Sequence, residues 1–438
     1  MERRLRRVAS HVTTRAASGS AQGGKILSGV NVLDLSTVIA GPACAAMMAD
    51  FGASVTKIEP PGGDSWRSGG AMFEQDNRGK RSVCLDLTSE EGYQVFLKML
   101  EGADVVVTNM RTRALQKLRC DYESLRRIKP NIIVAMLTAH GLEGPDVELP
   151  GYDIGAFWAR TGLQELSGST RETMANYPGG NGDHTTAISL LGAALGALYH
   201  RERTGEGQMV EASLLRSGIY TLSCAISAYA GHGSTQFRSE RTDFYNPLLN
   251  SYKTKDGRQM QMLGQQPFRH WPAFVKALGL EGAIAADAEL DIMTWSQYRD
   301  ERDKRRVRTK LVAAVDEVFA QKTLAEWSEI FTAHDVWWQK VQTFEEVLED
   351  PQAIAAGAFP SVDGLDYPLV SAPMSFGVTS QGYSSVITEA AEPALKSAPS
   401  LGEDNVAVMR EIGLSEEQIE KLQAAGVLST QTNDPKRL

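Results

Sequence analysis

Nothing in this 438-residue chain approaches the roughly twenty consecutive apolar residues that a membrane-spanning helix needs, so the sequence gives no support to a membrane-embedded protein. Cysteine is scarce. Cys44, Cys84, Cys120 and Cys224 are scattered without CxxC or histidine-paired spacing, which argues against a disulfide framework or a metal site and suits reduced thiols in a core. No GxGxxG follows the first strand-like segment, so NAD and FAD are not expected. Positive charge is in deficit, with a net charge of −9, and an acidic chain is a poor general partner for nucleic acid.

The N-terminus is the exception to that acidity. The first twenty-two residues hold Arg3, Arg4, Arg6, Arg7 and Arg15 against the single acid Glu2, and are otherwise rich in Ser, Thr and Ala, the composition of an organellar transit peptide. Residues 1–24 are therefore read as a mitochondrial address. A disordered basic tail or a nuclear address is the alternative reading of this segment, and a cytoplasmic or peroxisomal location the alternative for the protein. Setting aside that net +4 leaves −13 on the remainder. With 42% apolar residues, the chain can bury two domains or more and reads as soluble and globular.

From Val30 the chain alternates strand and helix. Asn31–Ser36, Ser54–Glu59, Ser82–Leu87, Asp104–Asn109 and Asn131–Thr138 are short and apolar-rich, the signature of strands. Between them, Pro42 opens a helix through Ala49, Thr88-Ser-Glu-Glu91 fits a capping box for a helix through Leu100, and Ala114–Leu118 and Tyr122–Ile128 read as helical. Such alternation predicts an α/β fold with a mostly parallel, Rossmann-like sheet, whose ligands sit at the carboxyl ends of the strands. Met209–Leu214 adds a strand and Ser217–Ala230 a helix. Beyond the flexible Gly231–Thr235 connection, Asp256-Gly257 marks a hairpin, and Trp271–Leu278 and Arg308–Phe319 are helical, giving a smaller α+β domain.

The chemistry gathers at Tyr177-Pro-Gly-Gly-Asn-Gly-Asp-His-Thr-Thr186. Gly179, Gly180 and Gly182 precede Asp183, and Ile188, Leu191, Leu195 and Leu198 then repeat at helical spacing. A carboxylate there caps the helix, as Asp183 or Thr185 would, or it is a nucleophile whose oxyanion partner is held by the glycine N–H groups. Local sequence favours the cap. His184 reads as orienting or incidental, and His140 as a weaker candidate contact. A second signal is a local reversal of charge, because the turns after successive strands collect Arg78, Lys80, Arg81, Arg111, Arg113 and Lys117 on an otherwise acidic chain. A small polyanion with phosphate groups explains the set, whereas solvated surface charge explains any one member.

Taken with Leu33–Cys44, Asp50–Gly62, Pro150-Gly-Tyr-Asp153 and Leu198–Gln208, these segments resemble the family III CoA-transferases and the related α-methylacyl-CoA racemases, from about Gly29 to Val427. The resemblance implies coenzyme A as part of the substrates, with no tightly bound cofactor, and CoA contacts at Val38, Ala40, Lys80, Arg81, Asn109 and Lys117. It implies acyl-CoA and carboxylic acid substrates and an interlocked homodimer. Asp183 becomes the nucleophile, with Tyr152, Gly180, Gly182 and Gln265 around the substrate. The resemblance also divides the chain into 25–230 of the large domain, 231–340 as the small domain and linkers, and 341–438 returning to the large domain.

Four departures qualify the match. Pro60-Pro61 stand where many members have a basic residue, and Lys117 where an arginine often lies. Trp337-Trp338 replace a proline-containing motif, and Leu263-Gly-Gln-Gln-Pro-Phe268 has one glycine where a lid is glycine-rich. Racemases carry His where this chain has Tyr152. A tyrosine with an ordinary pKa near 10 is a poor base at neutral pH, so transfer is favoured over two-base racemisation. The expected reaction moves CoA from an acyl-CoA, succinyl-CoA if the chain enters the mitochondrial matrix, to a carboxylic acid such as glutarate. Arylacrylate and 2-hydroxy acids stay open as acceptors. A racemase-type isomerase and a non-catalytic CoA-binding protein are the alternatives.

Overall fold

The computed structural model describes residues 25–167, 179–233, 240–244, 246–376, 378–379, 382–383 and 395–430. The basic N-terminal segment, Tyr177 and Pro178 of the glycine loop, and Ser234-Thr235 lie outside them. The large unit is built on a six-stranded, wholly parallel sheet of β1 (Asn31–Asp34), β2 (Ser54–Glu59), β3 (Arg81–Cys84), β4 (Val105–Thr108), β5 (Ile133–Thr138) and β6 (Met209–Ser213), in the order β3-β2-β1-β4-β5-β6. The chain runs outward from β1 to one edge, then crosses back and builds outward from β4 to the other. The reversal between β1 and β4 opens a crevice at their carboxyl ends.

The strands bury both faces, as parallel strands do. Val105 and Val107 point to one core with Val32, Ile133 and Ala135, while Val106 points to the other with Leu33, Ile58 and Val83. The first face is covered by α1 (Ala40–Asp50) and by the 24-residue α6 (Asn181–Thr204). Helix α1, with five alanines among its eleven residues, is buried from Ala40 to Met48, so two backbones approach closely there. It begins at Ala40, two residues before Pro42. The buried stripe of α6 is Ala187, Leu190, Leu191, Ala194, Ala197 and Leu198, and Ile188, expected on that face, is exposed. The small alanines do the packing that the larger residues had suggested.

The second face carries α3 (Glu90–Gly102), α4 (Thr112–Lys117), α5 (Tyr122–Ile128) and the C-terminal helices α12 (Asn405–Glu411) and α13 (Glu416–Ala424). Ser89 caps α3 through the Gly92 amide, while Thr88 bonds Asp86, so the anticipated capping box does not form. Before α12, Asp404 accepts the Ser82 amide at 2.8 Å, and Asn405 accepts that of Cys84 at 2.9 Å. The C-terminal segment thus packs against edge strand β3. After β6 the chain forms two helices, α7 (Leu214–Thr221) and α8 (Ser223–His232), broken at Leu222, where one had been expected.

The small unit pairs β7 (Ser251–Lys253) with β8 (Gln259–Met262) through a hairpin at Gly257 (φ 80°), and β8 with β9 (Trp338–Lys340). Its three longer helices, α9 (Pro267–Leu278), α10 (Glu301–Phe319) and α11 (Leu324–Ala333), enclose an aromatic core of Tyr252, Trp271, Phe274, Phe319, Trp327 and Phe331.

Candidate active site

The crevice between β1 and β4 is closed at its base by a reciprocal amide clamp. Asn109 Oδ1 accepts the Thr37 amide at 2.9 Å, and its Nδ2 donates to the Thr37 carbonyl at 2.7 Å, so one side chain satisfies both backbone groups of the first loop. The next residue, Val38, has φ 69°, a left-handed conformation that a β-branched residue adopts at a cost on the order of 1–3 kcal/mol. Its N–H donates to the Asp64 carboxylate at 3.2 Å, and Asp64 in turn pairs with the fully buried Lys57 at 2.9 Å. Gly41 admits this loop because a Cβ there would collide with Ser36.

On the facing side, α6 begins with no cap from its own sequence. The cap comes from Asp153, at the start of a π-helical turn over Asp153–Ala159, whose carboxylate accepts the amides of Gly180 at 2.6 Å and Gly182 at 3.0 Å. Gly180 has φ 102°, and a Cβ on residue 182 would overlap both Asp153 and Phe157. The glycine N–H groups expected to hold an oxyanion are therefore occupied at Gly180 and Gly182. Relieved of the capping role, Asp183 sits in the first turn with its carboxylate in the cleft.

Burial, and then the negative charge of Asp153, push the Asp183 carboxyl up to about 7, with His184 pulling the other way. Two carboxylates near one helix start cannot both ionise cheaply. His184, half-exposed, places Nε2 3.0 Å from Oδ1 of the buried Asp76, on α2 (Ala71–Asn77). Burial opposes a charged ring, but the Asp76 hydrogen bond and charge outweigh it, and the His184 pKa lies above its ordinary value.

A cleft of about 470 Å³ joins these parts. Its lining includes Val38, Ala40, Asn109, Arg111, Tyr152 and Asp183, with Ile39, Met136, Leu137, Val147, Leu149 and Leu214 as apolar wall. Asp183 is the one carboxylate among the described lining residues. Arg111 has no ion-pair partner among the described residues, and Tyr152 is 75% exposed at the rim. The site can present a carboxylate of shifted pKa to an acyl group in an apolar, partly enclosed space, with a cation at one edge.

Four residues expected here are elsewhere. Lys80 is wholly buried, and its ammonium donates to Asp34 Oδ2 at 2.8 Å and to the Pro42 carbonyl and Asn77 Oδ1 at 2.9 Å. With all three N–H bonds used, it has none for phosphate. Arg81 pairs with Glu411 and donates to Thr56, away from the cleft lining. Lys117, at the end of α4, and Gln265, after β8, are both exposed and outside that lining. His140 also lies outside it, and neither ring nitrogen has a hydrogen-bond partner among the described residues. Asp64, Asp76 and Lys57, which hold the loops, escaped notice because nothing local in the sequence marks a buried charge.

The fold is thus a doubly wound α/β sheet with a cleft at its switch point lined by one carboxylate, Asp183, among the described residues. The chain matches the model of CoA-transferase family III over residues 27–405 and belongs to that family. It is 33% identical to a cinnamoyl-CoA:phenyllactate CoA-transferase of Clostridium sporogenes over 91% of this chain and 96% of that one. It is 29% identical to the alpha-methylacyl-CoA racemase of Homo sapiens over 92% and 98% of the two chains. A CAIB/BAIF family protein from Brucella suis superposes with a TM-score of 0.74 at 26% identity, over 89% of this chain and all of that one.

Proposed function

We propose that the protein transfers CoA from an acyl-CoA thioester to a free carboxylic acid through covalent intermediates on Asp183. The observation that carries the reading is the isolation of that carboxylate in the cleft, freed from helix capping by Asp153. Asp183 attacks the thioester carbonyl, the C–S bond breaks, and CoA thiolate leaves a mixed anhydride. The thiolate then attacks the aspartyl carbonyl, expelling the first acid and forming an aspartyl-CoA thioester. The acceptor carboxylate displaces thiolate to give a second anhydride, and thiolate attack on its acyl carbon frees product and Asp183. Each step exchanges one activated acyl bond for another, so no ATP is consumed, and splitting the exchange makes it feasible. Water would hydrolyse the anhydrides, and the enclosing walls limit its access.

Two-base isomerisation finds less support. A second base is needed for it, and beside Asp183 the described lining holds no histidine, lysine or further carboxylate, only Tyr152, 75% exposed at the rim.

Relatives named for succinyl-CoA:mesaconate and succinate–glutarate transfer share the family with the phenyllactate enzyme, so the family leaves the acid open. We favour an acid with an apolar chain over the dicarboxylate that a matrix address suggests. A dicarboxylate brings a second charge into walls whose one described cation is Arg111. The mitochondrial address and a homodimer remain part of this reading. The exposed Tyr199, Tyr220 and Tyr229 on α6–α8 offer a face for a second copy.

The test is to incubate the protein with aryl-, 2-hydroxyacyl-, succinyl- and glutaryl-CoA, quench with hydroxylamine, and read the Asp183 peptide by mass spectrometry. A hydroxamate on Asp183 with some donors establishes covalent transfer and names the donor class. No adduct with any donor, while CoA still binds, would return the case to isomerase or binding protein.

A further inference from the structure

The residue beside the nucleophile is tied to a carboxylate on a different element. His184 Nε2 lies 3.0 Å from Asp76 Oδ1, and the two are 108 residues apart. Asp76 is 3% exposed, so its charge is poorly solvated and must be answered by protein groups, whereas the His184 side chain is 46% exposed. The charged and titratable groups around this pair are few. Asp153 faces Asp183 from the π-helical turn, and Asp183 adjoins His184 on α6. Behind Asp76, Lys80 is already committed to Asp34 and also feels Asp76. The positive charge available next to Asp183 is therefore on His184, whose charged form the Asp76 hydrogen bond and charge favour, although Asp76 itself, like Asp153, disfavours a charge on Asp183.

We propose that Asp76 is a positioning residue which, by fixing His184 as a charged ring against the first turn of α6, offsets part of the repulsion that disfavours the ionised, attacking form of Asp183. This rests on Asp183 being the nucleophile. The physical argument is one of opposed neighbours. Burial raises the Asp153 carboxyl while the two amides it accepts favour its charged form, and as an anion it disfavours a second charge at Asp183. A fixed cation on the other side offsets the repulsion, and an imidazole alone would lose its proton near neutral pH. Pairing it with a buried carboxylate favours the charged ring. The same link ties α2 to α6, so the orientation of the ring is set by the fold.

The test is the pH profile of kcat/KM for the full chain with the donor that labels Asp183. His184→Gln removes the cation, and we expect the acid limb of the profile to move up by about one pH unit, with activity near pH 6 down roughly tenfold and recovered near pH 9. Asp76→Asn is expected to move it the same way but less, because it removes an anion together with the cation. In a His184→Gln background, Asp76→Asn adds no further upward shift. KM for the acyl-CoA stays within about twofold, since neither residue lines the cleft. A uniform loss at every pH with the limb unmoved would mean a merely structural link and overturn the proposal. His184→Gln keeps the test open if Asp76→Asn does not fold, because that ring is half-exposed. The two failures are distinct, because absence of an Asp183 hydroxamate in the unaltered protein defeats the nucleophile itself, whereas a hydroxamate with unmoved profiles defeats only the role of Asp76.

Discussion

Asp153 occupies the space that a side chain on residue 182 would need, and its Oδ1 accepts the Gly182 amide at 3.0 Å. The carboxylate and the missing Cβ are therefore one design. Removing the carboxylate in Asp153→Ala strands two buried amides, each accustomed to a charged acceptor, and should cost about 2–4 kcal/mol. Gly182→Ala should cost a similar amount through the clash with Asp153 and Phe157. Asp153→Asn keeps an acceptor oxygen for one amide and should lose about half as much. Chemical denaturation of the three variants checks the order, and Asn as damaging as Ala would mean that the charge, not the hydrogen bond, matters.

Asn109 holds the Thr37 backbone at both its donor and its acceptor. Asn109→Ala removes both bonds and frees the strained Val38 loop to relax toward an ordinary backbone conformation. Because that loop lines the cleft, the expected result is weaker CoA binding by roughly tenfold, with a melting temperature lowered by only a few degrees. Titration calorimetry with CoA reads the first and a thermal scan the second. Unchanged affinity would show that the clamp serves stability alone.

Lys80 and Arg111 separate by the salt dependence of ligand binding. Lys80→Met leaves Asp34 buried without its principal partner and should destabilise by about 3–5 kcal/mol, with CoA affinity of the folded protein unchanged. Arg111→Ala should be thermally neutral but weaken CoA binding about tenfold at low ionic strength, less at high salt, as loss of an exposed cation opposite a phosphate requires. Equal salt dependence in the Arg111 variant and the unaltered protein would remove that residue from the phosphate contacts.

The sheet was legible because its strands are short and apolar-rich and alternate with helical segments marked by Gly, Pro and Ser, and Asp183 because three glycines precede it. What stayed hidden is what only folding brings together. Lys80 looked like a free cation since its partner Asp34 is 46 residues away, and His184 looked incidental because Asp76 is 108 residues distant. Local sequence favoured the cap over the nucleophile at Asp183, because the residue that does the capping, Asp153, lies on another segment. The break at Leu222 left no Gly or Pro to mark it.

The raised pKa of Asp183 carries a stability consequence of definite sign. The fold favours the protonated acid, so the stability this group supplies is fully present below its unfolded value of about 3.8 and is lost as pH rises through about 7. His184, also raised, acts in the same sense, its contribution being present below about 6.5 and lost above its folded value. Asp183→Asn supplies a neutral group of the same shape that never ionises. A shift from 3.8 to about 7 caps the gain at roughly 4 kcal/mol, and solvent at the cleft mouth reduces it, so we expect stabilisation of about 1–2 kcal/mol at pH 8 and roughly two-fifths of that at pH 5. Covalent transfer should vanish at both pH values. Urea titrations of the two proteins at pH 5, 6.5 and 8 decide the matter, because a variant equally stable relative to the parent at all three would show that Asp183 is solvated like any surface carboxylate, and its isolation in the cleft would then do nothing to its charge.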